Sequence, residues 1–451
     1  MDTQSNQLRV EFTKADLRRL IVPLVIEQLL SITVGLSDSL MVSQVGEAAI
    51  SAVSLVDTVN VLLVNAFASL ATGGAVITGQ YLGRREVGKA GHSAQQLLLF
   101  MAEVSLAVMV LFYLGKGFVL NVVFGQVEAD VAAYANTYYM IVEASIPFLA
   151  LYSAGAALFR VMGNSGTSMW VSTAMNAINV VGNGLLIFVF HRGVEGVAIP
   201  TLVSRIFAAA AMLVLLRRPN LPIQVERFTF RHDRFVVKNI LHFGVPNGIE
   251  GSMFQLGKIL LLSTVSVLGT ASVAANAIGN TLASFQVVPG TALGLAIVTV
   301  VSRCVGASEY DRARYYTKKM MRTAYLYTVL VIALILACLP LILKLYNVSD
   351  QAREWATQIL WMHGLCGILI WPLAFTLPQA LRAAGDTRFT MVASTVSMWT
   401  LRVGLGVLLG RYWGFGVLGI WMAMFADWAL RAALFVPRFH GHKWETMGLE
   451  N

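Results

Sequence analysis

The most constraining feature of this chain is a series of about twelve apolar runs, most of them roughly 20 residues or longer. Each can cross the hydrocarbon of a bilayer as a helix, which satisfies its own backbone polar groups where no water can. Hydropathy places the spans at 17–43, 50–78, 92–115, 131–157, 168–191, 195–216, 236–268, 272–301, 319–343, 354–378, 389–410 and 414–436. Some exceed the hydrocarbon thickness, so tilting or extension into water is expected. Composition excludes a soluble globule: 57% of residues are hydrophobic and only 13% charged, about half the charge of a soluble domain. The expected class is an all-α polytopic membrane protein of twelve helices.

The basic residues orient this stack. With the N-terminus inside, the inner segments carry Arg9, Lys14, Arg18 and Arg19, then Arg84, Arg85 and Lys89. They continue with Arg160, the set from Arg217 through Arg227 to Lys238, the set from Arg303 to Arg322, and Arg382, Arg388, Arg438 and Lys443. The outer segments hold only Lys116, Arg192, Lys344, Arg353 and Arg411. This asymmetry predicts insertion with both termini cytoplasmic, and a bacterial inner membrane is the expected location. It accounts for the formal charge of +9 without a nucleic-acid partner, because the basic residues are dispersed between apolar helices. Cys304, Cys338 and Cys366 fall in or beside predicted helices with no disulfide framework or metal spacing. The polar first sixteen residues, followed by an apolar run without a small-residue cleavage site, predict a retained first helix. The stretch RFHGHKW, Arg438 to Trp444, suits a basic, aromatic anchor at the cytoplasmic interface.

The chain also repeats itself. A displacement of 223 positions aligns Pro23 with Pro246, Glu27 with Glu250, Gly46 with Gly269 and Gly83 with Gly306. A displacement of 222 pairs Arg160 with Arg382 and Gly163 with Gly385. Each half holds six spans, an even number, so both insert in the same orientation. Two six-helix bundles related by a pseudo-twofold axis along the membrane normal are therefore expected. The expected division is an N-lobe at 1–216, a cytoplasmic linker at 217–235 containing Pro219 and Pro222, and a C-lobe with a short cytoplasmic tail at 236–451. A cavity between two such lobes suits alternating access.

Polar residues inside the spans mark the candidate site. Glu27 and Asp38 are eleven residues apart on the first span, so they share a face about 16 Å apart along its axis. An acid at depth costs several kcal/mol unless it meets water or a partner, and it is a functional candidate by default. Asp38 is read as functional; Glu27 fits equally a structural role shared with Glu250. On the fifth span Asn176, Asn179 and Asn183 recur at i, i+3 and i+7 and form one stripe. The matching C-half positions are Met398, Leu401 and Leu405, and Asp38 corresponds to Leu261, so polarity is concentrated in the N-lobe. Beside amide oxygens, and with Thr201 on the sixth span, Asp38 suits Na⁺ as a hard-ligand site at Asp38, Asn179 and Asn183. It equally suits a proton taken up by the carboxylate itself. Either removes a bare charge and shifts the preferred lobe packing. No other cofactor is expected.

Further intramembrane charges need their own account. Asp427 and Arg431, four apart, are expected to pair. Lys258 lies two turns beyond Glu250, with Gln255 between them, and is expected to form an ion pair with Glu250 or a secondary polar site. Glu143 shows no partner in sequence and is a cavity-facing candidate. Asp57, near the start of its span, is expected at the interface. Pro378 is expected to kink the tenth span and free backbone carbonyls at depth.

These residues resemble the MATE (multidrug and toxic compound extrusion) transporters, from about Leu20 to Trp444. The resemblance rests on "GLSDSLMVSQVG", "GQYLGRREVGKA", "INVVGNGLLIF…GVEGVAIPT", "LGTASVAANAI", "ALRAAGDT" and "GIWMAMFADWALRAALFVPRFHGHKW", in that order. It implies an efflux antiporter that expels mostly cationic, amphipathic organic compounds in exchange for Na⁺ or H⁺, acting as a monomer in the bilayer. It implies coupling at Asp38, with Asn179 and Asn183 completing the N-lobe site, Thr201 close to it, and Tyr139 at a fourth-helix position. Two departures stand out. Some proton-coupled relatives carry an aspartate where this chain has Asn183, and some carry a tenth-helix acid that is missing from "WPLAFTLPQALR". The alternative on the same scaffold is a flippase or exporter of a lipid-linked or native metabolite. An intramembrane enzyme would need a His/Asp cluster or zinc spacing, and none is present in the sequence; a passive channel is disfavoured by the unequal polarity of the halves.

Overall fold

The computed structural model describes residues 10–125, 127–223, 225, 231–346 and 348–449. Arg9 and Arg227 of the inner basic set lie outside the described residues. Among the described residues the secondary structure is helical, without strands. The helices are α1 (Lys14–Ser43), α2 (Glu47–Gly83), α3 (Val87–Leu114), α4 (Ala129–Glu143), α5 (Ile146–Val161), α6 (Ser165–Val189) and α7 (Glu195–Leu216). They continue as α8 (Arg234–Ser266), α9 (Thr270–Gln286), α10 (Val288–Gly306), α11 (Tyr310–Lys344), α12 (Asp350–Leu369), α13 (Pro372–Ala384), α14 (Thr387–Tyr412) and α15 (Gly416–His440).

Among the described residues, nine of these helices are individually long and apolar enough to cross a membrane, and the bent pairs α4–α5 and α12–α13 raise that number to eleven. The remaining span is α8, whose hydropathy is diluted by Glu250, Gln255 and Lys258. All twelve expected spans thus have a helix. The chain enters α1 through a reciprocal cap. Asp16 N–H donates to Thr13 Oγ1 at 3.1 Å, and Thr13 N–H donates to Asp16 Oδ2 at 2.9 Å, satisfying donors that the first turn leaves free. The tenth span bends by 60° between Leu369 and Pro372. The sequence pointed to Pro378 instead, but Pro372 is the proline at the break: it has no N–H to continue the ladder, and its ring crowds the carbonyl of the preceding turn.

The repeat is written into the turns as well as the residues. Gly46 and Gly269 have φ of 133° and 98°, and Gly163 and Gly385 have 84° and 103°. These are conformations that glycine adopts without a Cβ penalty. At the same 223-residue displacement, Arg85 (60°) matches Ser308 (59°), and His191 (49°) matches Gly414 (80°).

The chain forms two compact units, Thr13–Gly248 and Met1–Phe12 with Ile249–Asn451. Two local features explain why these differ from a division at a linker. A Cβ on Gly73 of α2 would stand 2.8 Å from Gly244 Cα, and one on Gly244 would stand 2.9 Å from Leu70 Cα. Backbone-to-backbone packing therefore holds the first half of α8 to α2. Residues 10–12 join the other unit because Val10 N–H donates to Glu309 Oε2 at 3.0 Å and Phe12 N–H to the Tyr316 hydroxyl at 2.8 Å. The first unit is cored by Val42, Val53, Val56, Tyr139 and Ile187, the second by Leu261, Ile359, Trp421, Met424 and Trp428.

Candidate functional site

The first unit assembles its polar site from α1, α6 and α7. Gly182 of α6 permits the close approach of α7, since a Cβ there would lie 2.7 Å from Pro200 Cβ. That contact places Thr201 against the asparagine stripe, with Asn179 and Thr201 Oγ1 3.0 Å apart. Asn183 Nδ2 donates to Asp38 Oδ1 at 2.8 Å. Turning the Asn179 amide lets its Nδ2 donate to Asp38 at 2.9 Å while its oxygen accepts from Thr201 Oγ1 at 3.0 Å, so both partners are satisfied in that orientation. Asp38 is half-buried, Asn179 and Asn183 are buried, and Asn183 Oδ1 has no hydrogen-bond partner. The structure therefore brings Asp38, Asn179, Asn183 and Thr201 together. Asn176 is half-buried on the same stripe and makes no hydrogen bond among the described residues.

Two residues join this site that the sequence reading did not place there. Asp57 of α2 was expected at the interface, but it is half-buried and near enough for its charge to act on Asp38. Tyr138 donates to Asp57 Oδ1 at 3.1 Å. Arg205, one turn beyond Thr201 on α7, donates to Ser145 Oγ at 2.6 Å, and its charge acts on both Asp57 and Glu143. Tyr139 is turned away: its hydroxyl donates to the Phe112 carbonyl at 2.9 Å. The tyrosine at the site is its neighbour. Glu143 is fully buried, and neither carboxylate oxygen has a hydrogen-bond partner. Two of the three carboxylates, Asp57 and Glu143, thus share the Arg205 guanidinium, Asp38 faces Asp57, and none of the three forms an ion pair within 4 Å among the described residues.

Glu27 and Glu250 belong elsewhere. Glu27 is 8% exposed, accepts from Ser168 Oγ at 3.0 Å and lies 3.9 Å from Arg160 Nη1. Glu250 accepts from Arg382 Nη2 at 2.5 Å and lies 3.9 Å from Arg431 Nη1. The repeat that aligns the two glutamates also aligns Arg160 with Arg382, so each unit carries the same acid–guanidinium fastener. Lys258 does not pair with Glu250, whose Oε1 is held by Arg382 while its Oε2 is buried without a hydrogen-bond partner; the charged neighbour of Lys258 is Arg402. Gln255 is half-buried and makes no hydrogen bond among the described residues. Asp427 and Arg431 pair as expected, at 2.8 Å and buried. At the mates of Asp38 and Asn176, Leu261 and Met398 are buried and apolar, so the N-lobe site has no copy of its own kind in the second unit.

The MatE family model matches this chain twice, at residues 23–185 and 246–408, in step with the internal repeat. The chain is 26% identical to "Uncharacterized transporter YisQ" of Bacillus subtilis, over 95% of this chain and 94% of that protein. It is 23% identical to "Probable multidrug resistance protein NorM" of Thermotoga maritima, over 96% and 93% respectively. A solved multidrug resistance MATE family transporter, in an outward-facing conformation, superposes with a TM-score of 0.88 at 18% identity, covering 96% of this chain and 98% of that one.

Proposed function

Because this chain belongs to the MATE family of membrane transporters, we propose that it is a secondary active antiporter, expelling amphipathic, mostly cationic organic compounds in exchange for Na⁺ or H⁺ bound at Asp38. The observation that carries this reading is the charge imbalance around this site: Asp38, Asp57 and Glu143 form no ion pair within 4 Å among the described residues, the one nearby guanidinium acts on only Asp57 and Glu143, and Asp38 is the acid held by the asparagine stripe. A monovalent cation relieves that imbalance. As a proton it adds to Asp38 and gives up one accepted hydrogen bond. As Na⁺ it draws on oxygen ligands, for which the carboxylate, the rotatable amides of Asn179 and Asn183, and Thr201 Oγ1 are at hand.

Occupancy changes what α1 does to α6. With Asp38 ionised, the amide of Asn183 is tied to it; with Asp38 loaded, that charge-assisted bond, worth about 1.5–3 kcal/mol, weakens. A difference of this size redistributes two packings by roughly ten- to a hundredfold. A tenfold gradient of the cation supplies about 1.4 kcal/mol per ion, enough for about a tenfold drug gradient at one-for-one exchange. The names of relatives such as the Thermotoga maritima protein support multidrug export as the task.

Drug susceptibility of a pump-deficient bacterial host, with membrane abundance measured in parallel, tests the assignment. Asp38→Asn is expected to remove resistance to lipophilic cations while folded protein stays in the membrane. Full resistance from that variant removes Asp38 from the mechanism.

A further inference from the structure

The second unit carries charges of the opposite sign near the same repeat positions. Lys258 aligns with Gly35, three residues from Asp38, and Arg402 aligns with Val180, one residue from Asn179. Where the first unit has an acid and amides, the second therefore has an ammonium and a guanidinium flanking Leu261 and Leu401.

These two cations stand at one helix crossing. A Cβ on Gly257 would meet the Met398 side chain and come within 3.2 Å of Val403 Cγ2, so α8 and α14 touch where Lys258 and Arg402 leave them. The Arg402 guanidinium lies 5.0 Å from the centroid of the Phe254 ring, one turn before Lys258. The two nearby acids are each engaged by other groups through one oxygen, and the charge of Asp427 also reaches Arg402, so two acids serve four cations. Asp427 Oδ1 accepts from Arg431 Nε at 2.8 Å and Ser397 Oγ at 2.6 Å, and Glu250 is held by Arg382. Lys258 is exposed and forms no ion pair among the described residues, and Arg402 Nε is buried without a hydrogen-bond partner. The interior of this unit thus sets Lys258, Arg382, Arg402 and Arg431 against Glu250 and Asp427. An accessible ammonium within a membrane helix demands water or an anion, because hydrocarbon cannot solvate it.

We propose that Lys258 and Arg402 form an anion site in the second unit, which binds the carboxylate of an organic compound whose apolar body lies along Phe254. This rests on the antiporter reading and deepens it: it gives the carboxylate of an acidic or zwitterionic compound its own contact, in the second unit and away from Asp38. A flexible ammonium and a planar guanidinium converging on one anion supply both charge and directed donors.

The test uses two forms of one rhodamine dye, the ethyl ester (a cation) and the free acid (a zwitterion), with the full-length protein. Transport into reconstituted vesicles and binding to purified protein are both measured, for the wild type, Lys258→Met and Lys258→Arg. Loss of one charge-assisted contact is expected to lower the acid-to-ester ratio, in transport and in affinity, by roughly tenfold or more. Lys258→Arg restores it. An acid-to-ester ratio that Lys258→Met leaves within twofold of the wild type overturns the proposal. If the wild type moves neither dye, the antiporter reading fails, and the binding ratio still decides the anion site on its own. Because Lys258→Met removes a charge from a membrane helix, it is not expected to impair folding; ester binding by the same sample reports that directly.

Discussion

Replacing Arg160 by methionine tests whether Glu27, and by repeat Glu250, is a fastener rather than part of the transport site. Glu27 is 8% exposed, with Arg160 3.9 Å away and Ser168 3.0 Å away. At that ion-pair distance, the Coulomb attraction at an effective dielectric of 20 is about 4 kcal/mol. Removing only the cation leaves a buried carboxylate with one hydroxyl partner, a change that costs about 3–5 kcal/mol in buried pairs. Removing both charges, as in Glu27→Gln with Arg160→Met, leaves neutral groups and is expected to recover most of the loss. At roughly 2–4 °C per kcal/mol for a unit of this size, the single variant should lose about 10 °C in apparent melting midpoint. The assay is the fraction of detergent-purified protein that stays monodisperse after heating, compared across the four members of the cycle at one heating rate. The double variant should also still export drug. A double variant no more stable than Arg160→Met, or one that is stable but inactive, refutes the reasoning.

Tyr138→Phe removes the hydroxyl that donates to Asp57 and should shift the ion dependence of transport severalfold, read as the cation concentration for half-maximal efflux. Tyr139→Phe, which loses only a bond to the Phe112 carbonyl, should cost about 1 kcal/mol of stability and move that ion dependence less. Just before α8, partial burial acts upward on Asp233, but hydrogen bonds from His92 and the amides of Val236 and Phe235 outweigh it and hold the carboxyl below its ordinary value. With the folded pKa depressed, the stabilising contribution is present above the unfolded value of about 3.9 and is lost as pH falls through the folded one. Melting midpoints of Asp233→Asn should therefore fall below wild type at neutral pH and converge with it below about pH 4.

Much of this architecture was legible because a bilayer leaves few options. An apolar run must be a helix, and an even number of helices in each half repeats orientation, so spans and repeat follow from periodicity and length alone. Asp38, Asn179, Asn183 and Thr201 were legible for the same reason, since polar residues on one face of a membrane helix need partners. Arg205 carried the same signal, a lone charge four residues after Thr201 in an apolar run, but its role needed Asp57 and Glu143 from other helices. The choice between Tyr138 and Tyr139 turns on helix phase, because one residue step rotates a side chain about 100°, and the 46° bend after Glu143 hides that phase. Pairing Lys258 with Glu250 failed on distance: eight residues on one helix separate their Cα atoms by about 12 Å, while Arg382 reaches Glu250 from another helix. The units divide within α8 and not in the linker because Gly73 and Gly244 allow two backbones to touch, a contact between positions far apart in sequence.

The most direct measurement is uptake of a fluorescent organic cation into vesicles holding the purified protein, with Na⁺ and pH gradients imposed separately, for the wild type and Asp38→Asn. Concentrative uptake driven by one of the two gradients, and abolished in Asp38→Asn, is the predicted result. Dye movement indifferent to both gradients, or gradient-driven accumulation that survives Asp38→Asn, contradicts it.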